Sequence, residues 1–131
     1  MPVLSFSSFG FKYGIPKDIN FLFDVRFLRN PFYVPELKPM SGKDEPVRQY
    51  LSSFPEMSEF LNSCEFFLKP VVGAFLDDGR DVRVAFACTG GRHRSVFCAE
   101  SIFKRFERFG GSFVIEIFHR DIDKYKDGEA S

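Results

Sequence analysis

The chain has 131 residues, 18 Lys and Arg against 18 Asp and Glu, 19 Phe and no Trp. That length suits one domain with a substantial core, and its aromatic burial has to rest on Phe. A formal net charge of zero speaks against indiscriminate nucleic-acid binding, which needs a basic surface, and no apolar run is long enough to cross a membrane.

Residues 2–9, rich in Phe, Val and Ser, read as a strand, and Gly10 and Gly14 flank a turn at Phe11-Lys12-Tyr13. Phe21 to Phe27 reads as a second, buried strand with Asp24 and Arg26 on its polar face. Two charges there either pair with each other or bind something. From Arg29 to Pro46, four prolines and Gly42 interleave with Phe32, Tyr33, Val34 and Leu37, which marks an ordered loop. Long loops in small domains are usually functional.

Asp44-Glu45-Pro46 starts a helix that runs to about Phe54, and Pro55 begins another. In the second, Met57, Phe60, Leu61, Cys64, Phe67, Leu68, Val71 and Phe75 recur at helical spacing. Pro70 is expected to bend it and Gly79 to end it. Val82, Val84 and Phe86 alternate into a third strand that reaches Ala87. A helix over Ser95 to Phe109 then buries Val96, Ala99, Ile102, Phe103, Phe106 and Phe109, and Glu100 and Lys104 form an i,i+4 pair on its other face. Gly110-Gly111 closes it, Phe113 to Phe118 is the last strand, and His119-Arg120-Asp121 reads as a polar strand end.

Residues 1–123 thus form one domain, and 124–131 a polar tail expected to fray. The alternation predicts an α/β fold: a single layered domain with a small mixed or parallel sheet and flanking helices. Ligands in such folds bind at the carboxyl ends of strands, which is where Cys88, His119 and the Asp24–Arg29 stretch fall. Cys64, Cys88 and Cys98 are odd in number and lack zinc-ligand spacing. They fit free thiols in a reducing cytoplasm, with Cys64 and Cys98 on apolar helical stripes. Met1-Pro2-Val3-Leu4 lacks the charged and apolar regions of a signal peptide.

The most informative stretch is Cys88-Thr89-Gly90-Gly91-Arg92-His93-Arg94-Ser95, between the third strand and its helix. A glycine-rich turn that enters a helix points several backbone N–H groups into one hollow, and the helix dipole adds positive charge. Such hollows take phosphate, sulfate or carboxylate. The phosphate of a sugar phosphate would be cradled by amides from about Gly90 to Ser95, with hydroxyls from Thr89 and Ser95 and charge-assisted bonds from Arg94. Arg92 adds charge, and His93 would titrate with a phosphate dianion near neutral pH. Asp24 would accept from sugar hydroxyls or an amino group. The alternative is a plain Asp24–Arg26 salt bridge, and for Lys12 a solvated loop position.

Several blocks occur together: Ser8-Phe9-Gly10-Phe11-Lys12-Tyr13-Gly14-Ile15-Pro16, Phe23-Asp24-Val25-Arg26-Phe27-Leu28, Asn30-Pro31, Pro35-Glu36-Leu37, Cys88 to Ser95, and His119-Arg120-Asp121. In this order, over nearly the whole chain, they resemble the C-terminal domain of the RapZ family of RNase adapter proteins, also called nucleotide-binding proteins. The resemblance implies sensing of glucosamine-6-phosphate, binding of small regulatory RNA, a regulatory protein partner and homo-oligomers. It also implies an N-terminal P-loop kinase-like domain, which this sequence lacks, so the chain reads as a stand-alone relative or an excised domain. The carry-over falls on Lys12, Asp24, Thr89, Gly90, Gly91, His93 and Arg94, with Arg26 and Asn30 as further pocket residues. Phe32 stands where enterobacterial members have a histidine, and the tail from Lys124 is less basic than an RNA-binding tail.

Two other classes fit parts of the sequence. Cys88, five residues, then Arg94 and Ser95 spell the signature of cysteine-dependent phosphatases, with Cys88 as nucleophile and Asp24, Asp44 or Asp121 as general acid. Ala87 replaces the histidine common before that cysteine. A nucleic-acid module would instead use Arg26, Arg29, Lys38, Lys43, Arg92 and Arg94 as a basic patch. The reading adopted is a binding domain for a phosphorylated metabolite, without intrinsic catalysis, cofactor or metal.

Overall fold

The computed structural model describes residues 1–125. Four strands, β1 (Val3–Gly10), β2 (Phe21–Asp24), β3 (Val82–Cys88) and β4 (Val114–His119), form one sheet in the order β2-β3-β1-β4. Every neighbouring pair is parallel, so all four carboxyl ends lie along one edge. Parallel neighbours need crossovers. Helices α1 (Glu45–Ser52) and α2 (Pro55–Asp77) lead from β2 to β3, and α3 (Arg94–Phe106) carries the chain from β3 past β1 to β4.

All three helices cover one face. Leu4 and Phe6 of β1 and Val82, Val84 and Phe86 of β3 join a single core with Val47 and Leu51, Met57 to Val72, and Phe97 to Phe106. The strand alternation puts these even-numbered residues on one side. Phenylalanine supplies the aromatic packing: Phe23 stacks on Phe86 at 5.3 Å between centroids, and Phe6 meets Phe106 at 5.4 Å. Among the described residues, the other face holds a small cluster of Phe9, Ala85 and Ala87 under Phe11 and Ile19.

This division creates a switch point at the carboxyl edge of the sheet. The chain leaves β1 over the open face and leaves β3 over the helical face, so their carboxyl ends diverge at Gly10 and Cys88. Ligands of open α/β sheets bind in the crevice at such a switch point.

Several elements differ from the sequence expectations. β2 stops at Asp24 instead of Phe27 and is a half-exposed edge strand, because Arg26 and Phe27 turn to solvent. α2 continues through Pro70, and a Schellman-type end follows: Gly79 (φ +73°) donates to Leu76 O and Arg80 N–H to Phe75 O. α3 starts one residue early at Arg94 and ends at Phe106, short of Phe109. Its Glu100 carboxylate bonds His119 at 2.8 Å where the periodicity suggested Lys104. Residues 126–131 of the expected tail lie outside the described residues. Among the described residues no helix is long and apolar enough to cross a membrane.

Candidate functional site

Gly91 has φ +74°, the left-handed region that glycine enters freely. A Cβ there would lie 2.5 Å from Gly10 N and 2.8 Å from Phe9 C. One on Gly10 would lie 2.4 Å from Gly90 C. The turn after β3 is therefore pressed against the end of β1, backbone on backbone. A third glycine does the same on another side: a Cβ on Gly42 would meet His93 O at 2.3 Å, and its N–H donates to Arg92 O at 2.8 Å. Glycine is needed here first for close packing of chain on chain.

Held in this way, the turn keeps its donors open. Among the described residues, nothing accepts from the backbone N–H groups of Gly90, Gly91, Arg92, Arg94 or Ser95. Gly90, Gly91, Arg94 and Ser95 are buried. Unpaired buried donors are rare and call for a partner. The first turn of α3 adds its dipole at the same place.

Arg94 is the second element. It is 4% exposed, and its Nη1 donates to Arg26 O at 2.8 Å and Leu28 O at 3.0 Å. Its Nε is buried with no hydrogen-bond partner among the described residues. Burial pushes the guanidinium below its ordinary range, and Cys88 and Asp24 nearby act against that shift. Cys88 is buried, and its thiol donates to Ser95 Oγ at 3.2 Å.

The other predicted pocket residues reach the same edge in different ways. Lys12 N–H donates to Thr89 O at 3.2 Å, but the Lys12 ammonium lies over Tyr13, 5.2 Å from the ring centroid. Asp24 takes Arg26 Nε at 2.9 Å and Nη2 at 2.7 Å, and that pair holds the Asp24 carboxyl below its usual value. The Arg26 guanidinium stacks on Phe11 at 4.1 Å. Both side chains of the pair are half-exposed (48% and 50%), so solvent screens it and it adds little to stability. The salt bridge therefore forms, and it places a carboxylate and a guanidinium at the rim of the recess. Asn30 caps a short 3₁₀ turn at Pro31–Tyr33 by accepting from Phe32 N–H.

Two expectations for the turn need correction. Arg92 does not direct its guanidinium to an anion: Nε, Nη1 and Nη2 donate to Met40 O, Ile122 O and Pro39 O at 2.6–2.9 Å. Only its backbone N–H remains for the hollow. His93 does not titrate near neutral pH. It is fully buried against backbone groups of Met40 and Leu37, and burial pushes it down to about 4.

The His93 shift has a stability consequence. An unfolded chain binds a proton at His93 near pH 6.5, whereas the folded chain resists it until about pH 4. Stability contributed by this residue is complete above pH 6.5, falls as pH drops through that window and levels off below it. The loss is on the order of 3 kcal/mol. Urea melts from pH 7 to pH 4.5 should show it, and His93→Gln should flatten the dependence. An unchanged slope in that variant would assign the acid sensitivity elsewhere.

Some residues that shape the site carry only a weak signal in the sequence. Asp121, buried at the end of β4, accepts Gly10 N–H at 2.8 Å together with Arg120 and Lys124. It also lies against Gly91. Next to it, His119 bonds Ser8 Oγ at 2.6 Å and Glu100 Oε2 at 2.8 Å. The only signal was three polar residues after an apolar strand.

The acids nominated for catalysis are all engaged. Asp24 holds Arg26, Asp121 holds Gly10 and two cations, and Asp44 accepts Ser41 N–H at 2.8 Å. The basic patch is also largely tied: Arg92 and Arg94 face carbonyls, Arg26 faces Asp24, and Arg29 lies 3.7 Å from Glu56 and over Phe54. Clefts of about 510, 410 and 200 Å³ are lined by other parts of the chain, so the turn stands out by its donors and not by enclosed volume. Among the described residues no cluster of His, Cys, Asp and Glu is suited to a metal ion.

The fold and the turn define an α/β domain with a glycine-rich, amide-lined recess where a central parallel strand meets its helix. Residues 2–123 match the family described as the RapZ C-terminal domain, and the chain belongs to that family. It is 50% identical over 123 residues to a nucleotide-binding protein of Aeromonas hydrophila, covering 93% of this chain and 42% of that relative. It is 48% identical over 123 residues to one of Clostridium acetobutylicum, covering 93% and 41%. The chain thus spans about two fifths of the length of the curated relatives it matches.

Proposed function

We propose that the Cys88–Ser95 turn binds a phosphorylated metabolite, with an amino-sugar phosphate such as glucosamine-6-phosphate as the best fit, and that the chain senses it in the cytoplasm. What carries this reading is the set of open donors: the backbone N–H groups of the turn together with the buried Nε of Arg94. A phosphate dianion satisfies several of them at once, with charge-assisted bonds. Asp24 at the rim suits an amino group or hydroxyl of the sugar. The relatives' name, nucleotide-binding protein, accords with phosphate as the shared chemistry. The readout is a change in affinity for RNA or a regulatory protein, from a homo-oligomer, as the family resemblance suggests.

Thermal-shift screening of sugar phosphates and nucleotides tests this directly. A ligand at a hundredfold excess over its Kd adds about 2.7 kcal/mol. No stabilisation by any phosphate compound would reject the reading. Phosphate-dependent changes in RNA gel shifts and in light scattering test the readout and the assembly.

A second reading has one observation in its favour. The Cys88 thiol bonded to Ser95 beside Arg94 is the arrangement a phosphatase nucleophile uses. The engaged acids argue for binding over turnover. Hydrolysis of an aryl phosphate that disappears in Cys88→Ser would reverse that preference.

A further inference from the structure

We propose that the groove between α2 and the C-terminal end of α3 docks a segment of a partner protein that carries acidic side chains around one apolar side chain. The groove lies about eleven residues along α3 from Arg94, roughly 16 Å away at 1.5 Å per residue, so it is separate from the anion turn.

Two adjoining clefts share Glu65 and Lys69. One, of about 510 Å³, runs toward Arg105, Arg108 and Phe109. The other, of about 410 Å³, runs along Phe66 and Pro70. Their α2 residues fall three or four apart and so form one stripe of that helix. Glu65 accepts Lys69 Nζ at 2.9 Å and Arg105 Nη1 at 2.8 Å. Arg108 has no ion-pair partner among the described residues. Three cations against one carboxylate leave the first cleft with an excess of two positive charges, although the chain as a whole is neutral. Acidic side chains are the complement.

The second cleft supplies the apolar half. Phe66 is 83% exposed, whereas its neighbour Phe67 turns its ring to Phe21 and Phe23. Pro70 has no N–H for the carbonyl of Phe66, which leaves a backbone acceptor beside the exposed ring. A peptide offers a side chain for the ring and N–H groups for that carbonyl. Nucleic acid fits less well, because the Glu65 carboxylate sits among the cations its phosphates would need.

The test is a nuclear magnetic resonance titration of the labelled chain with the hexapeptide Asp-Glu-Phe-Ser-Asp-Glu. Saturable shifts should appear at Asn62, Glu65, Phe66, Lys69 and Arg108. Arg108→Glu and Phe66→Ser, both at exposed positions, should each weaken binding about tenfold or more. Their melting temperatures and their response to sugar phosphates should stay unchanged. A peptide with lysine at every acidic position should not bind. Absence of saturable shifts at millimolar peptide, or equal binding by the lysine peptide, would overturn the proposal. So would stronger binding of oligouridylate at these residues, which would make the groove a nucleic-acid site. Concentration-dependent self-association lost in Arg108→Glu would assign it to a second copy of the chain and overturn the proposal equally.

Discussion

Gly91→Ala is expected to lower the unfolding free energy by about 3 kcal/mol or more, whereas Gly79→Ala, at nearly the same φ, should cost only about 1–2 kcal/mol. Both residues sit in the left-handed region (+74° and +73°), where a side chain costs roughly 1–2 kcal/mol. They differ in surroundings. A Cβ on Gly79 meets nothing within 4 Å, whereas on Gly91 it meets Gly10 N at 2.5 Å and Phe9 C at 2.8 Å. Those atoms are backbone of a central strand and cannot swing aside, so an overpacking cost of about 1–3 kcal/mol is added. Urea unfolding of the two variants checks the difference. Equal losses would show that the turn is not pressed on β1. Because the same contact shapes the amide hollow, Gly91→Ala should also lose its stabilisation by phosphate ligands.

Arg94→Ala is expected to weaken binding of a phosphorylated ligand at least about a hundredfold and to destabilise the free chain by about 3 kcal/mol. The binding loss follows from removing charge-assisted donors, each worth about 1.5–3 kcal/mol. The stability loss has a separate origin: the carbonyls of Arg26 and Leu28 lose their buried donor. For a chain of this length that is a drop in Tm of about 10 °C. Arg94→Lys separates the two effects. It keeps a charge for the carbonyls but loses the planar fork, so stability should recover more than affinity. Calorimetry with glucosamine-6-phosphate and with inorganic phosphate provides the affinities. Full affinity in Arg94→Lys would remove the guanidinium from the binding reading.

Much of this architecture is legible in residue order. Alternating Val82, Val84 and Phe86, the helical stripe from Met57 to Phe75 and the Gly90-Gly91 turn each belong to one local segment, and local periodicity reports them faithfully. What stayed hidden depends on partners far along the chain. Arg92 reads as an anion ligand until Pro39, Met40 and Ile122 are brought to it. His93 reads as a neutral-pH titrator until the loop before α1 seals it from water. Asp121 reads as a strand end until Gly10 arrives, 111 positions earlier in sequence. Asp24 and Arg26 sit two residues apart, and their pairing was visible as one of two alternatives.

β1 lies between β3 and β4. Of the four strands it leaves the ribosome first, yet both of its neighbours are made after helices α1 and α2. Until residues 82–119 emerge, the segment from Val3 to Gly10 is an orphan ribbon of Phe, Val and Leu with nothing to zip onto. Native pairing must close loops of nearly eighty and more than a hundred residues, which slows folding. Nascent chains stalled before β3 should therefore remain protease-sensitive and attract hydrophobic-binding chaperones, and protection should arrive in a single late step.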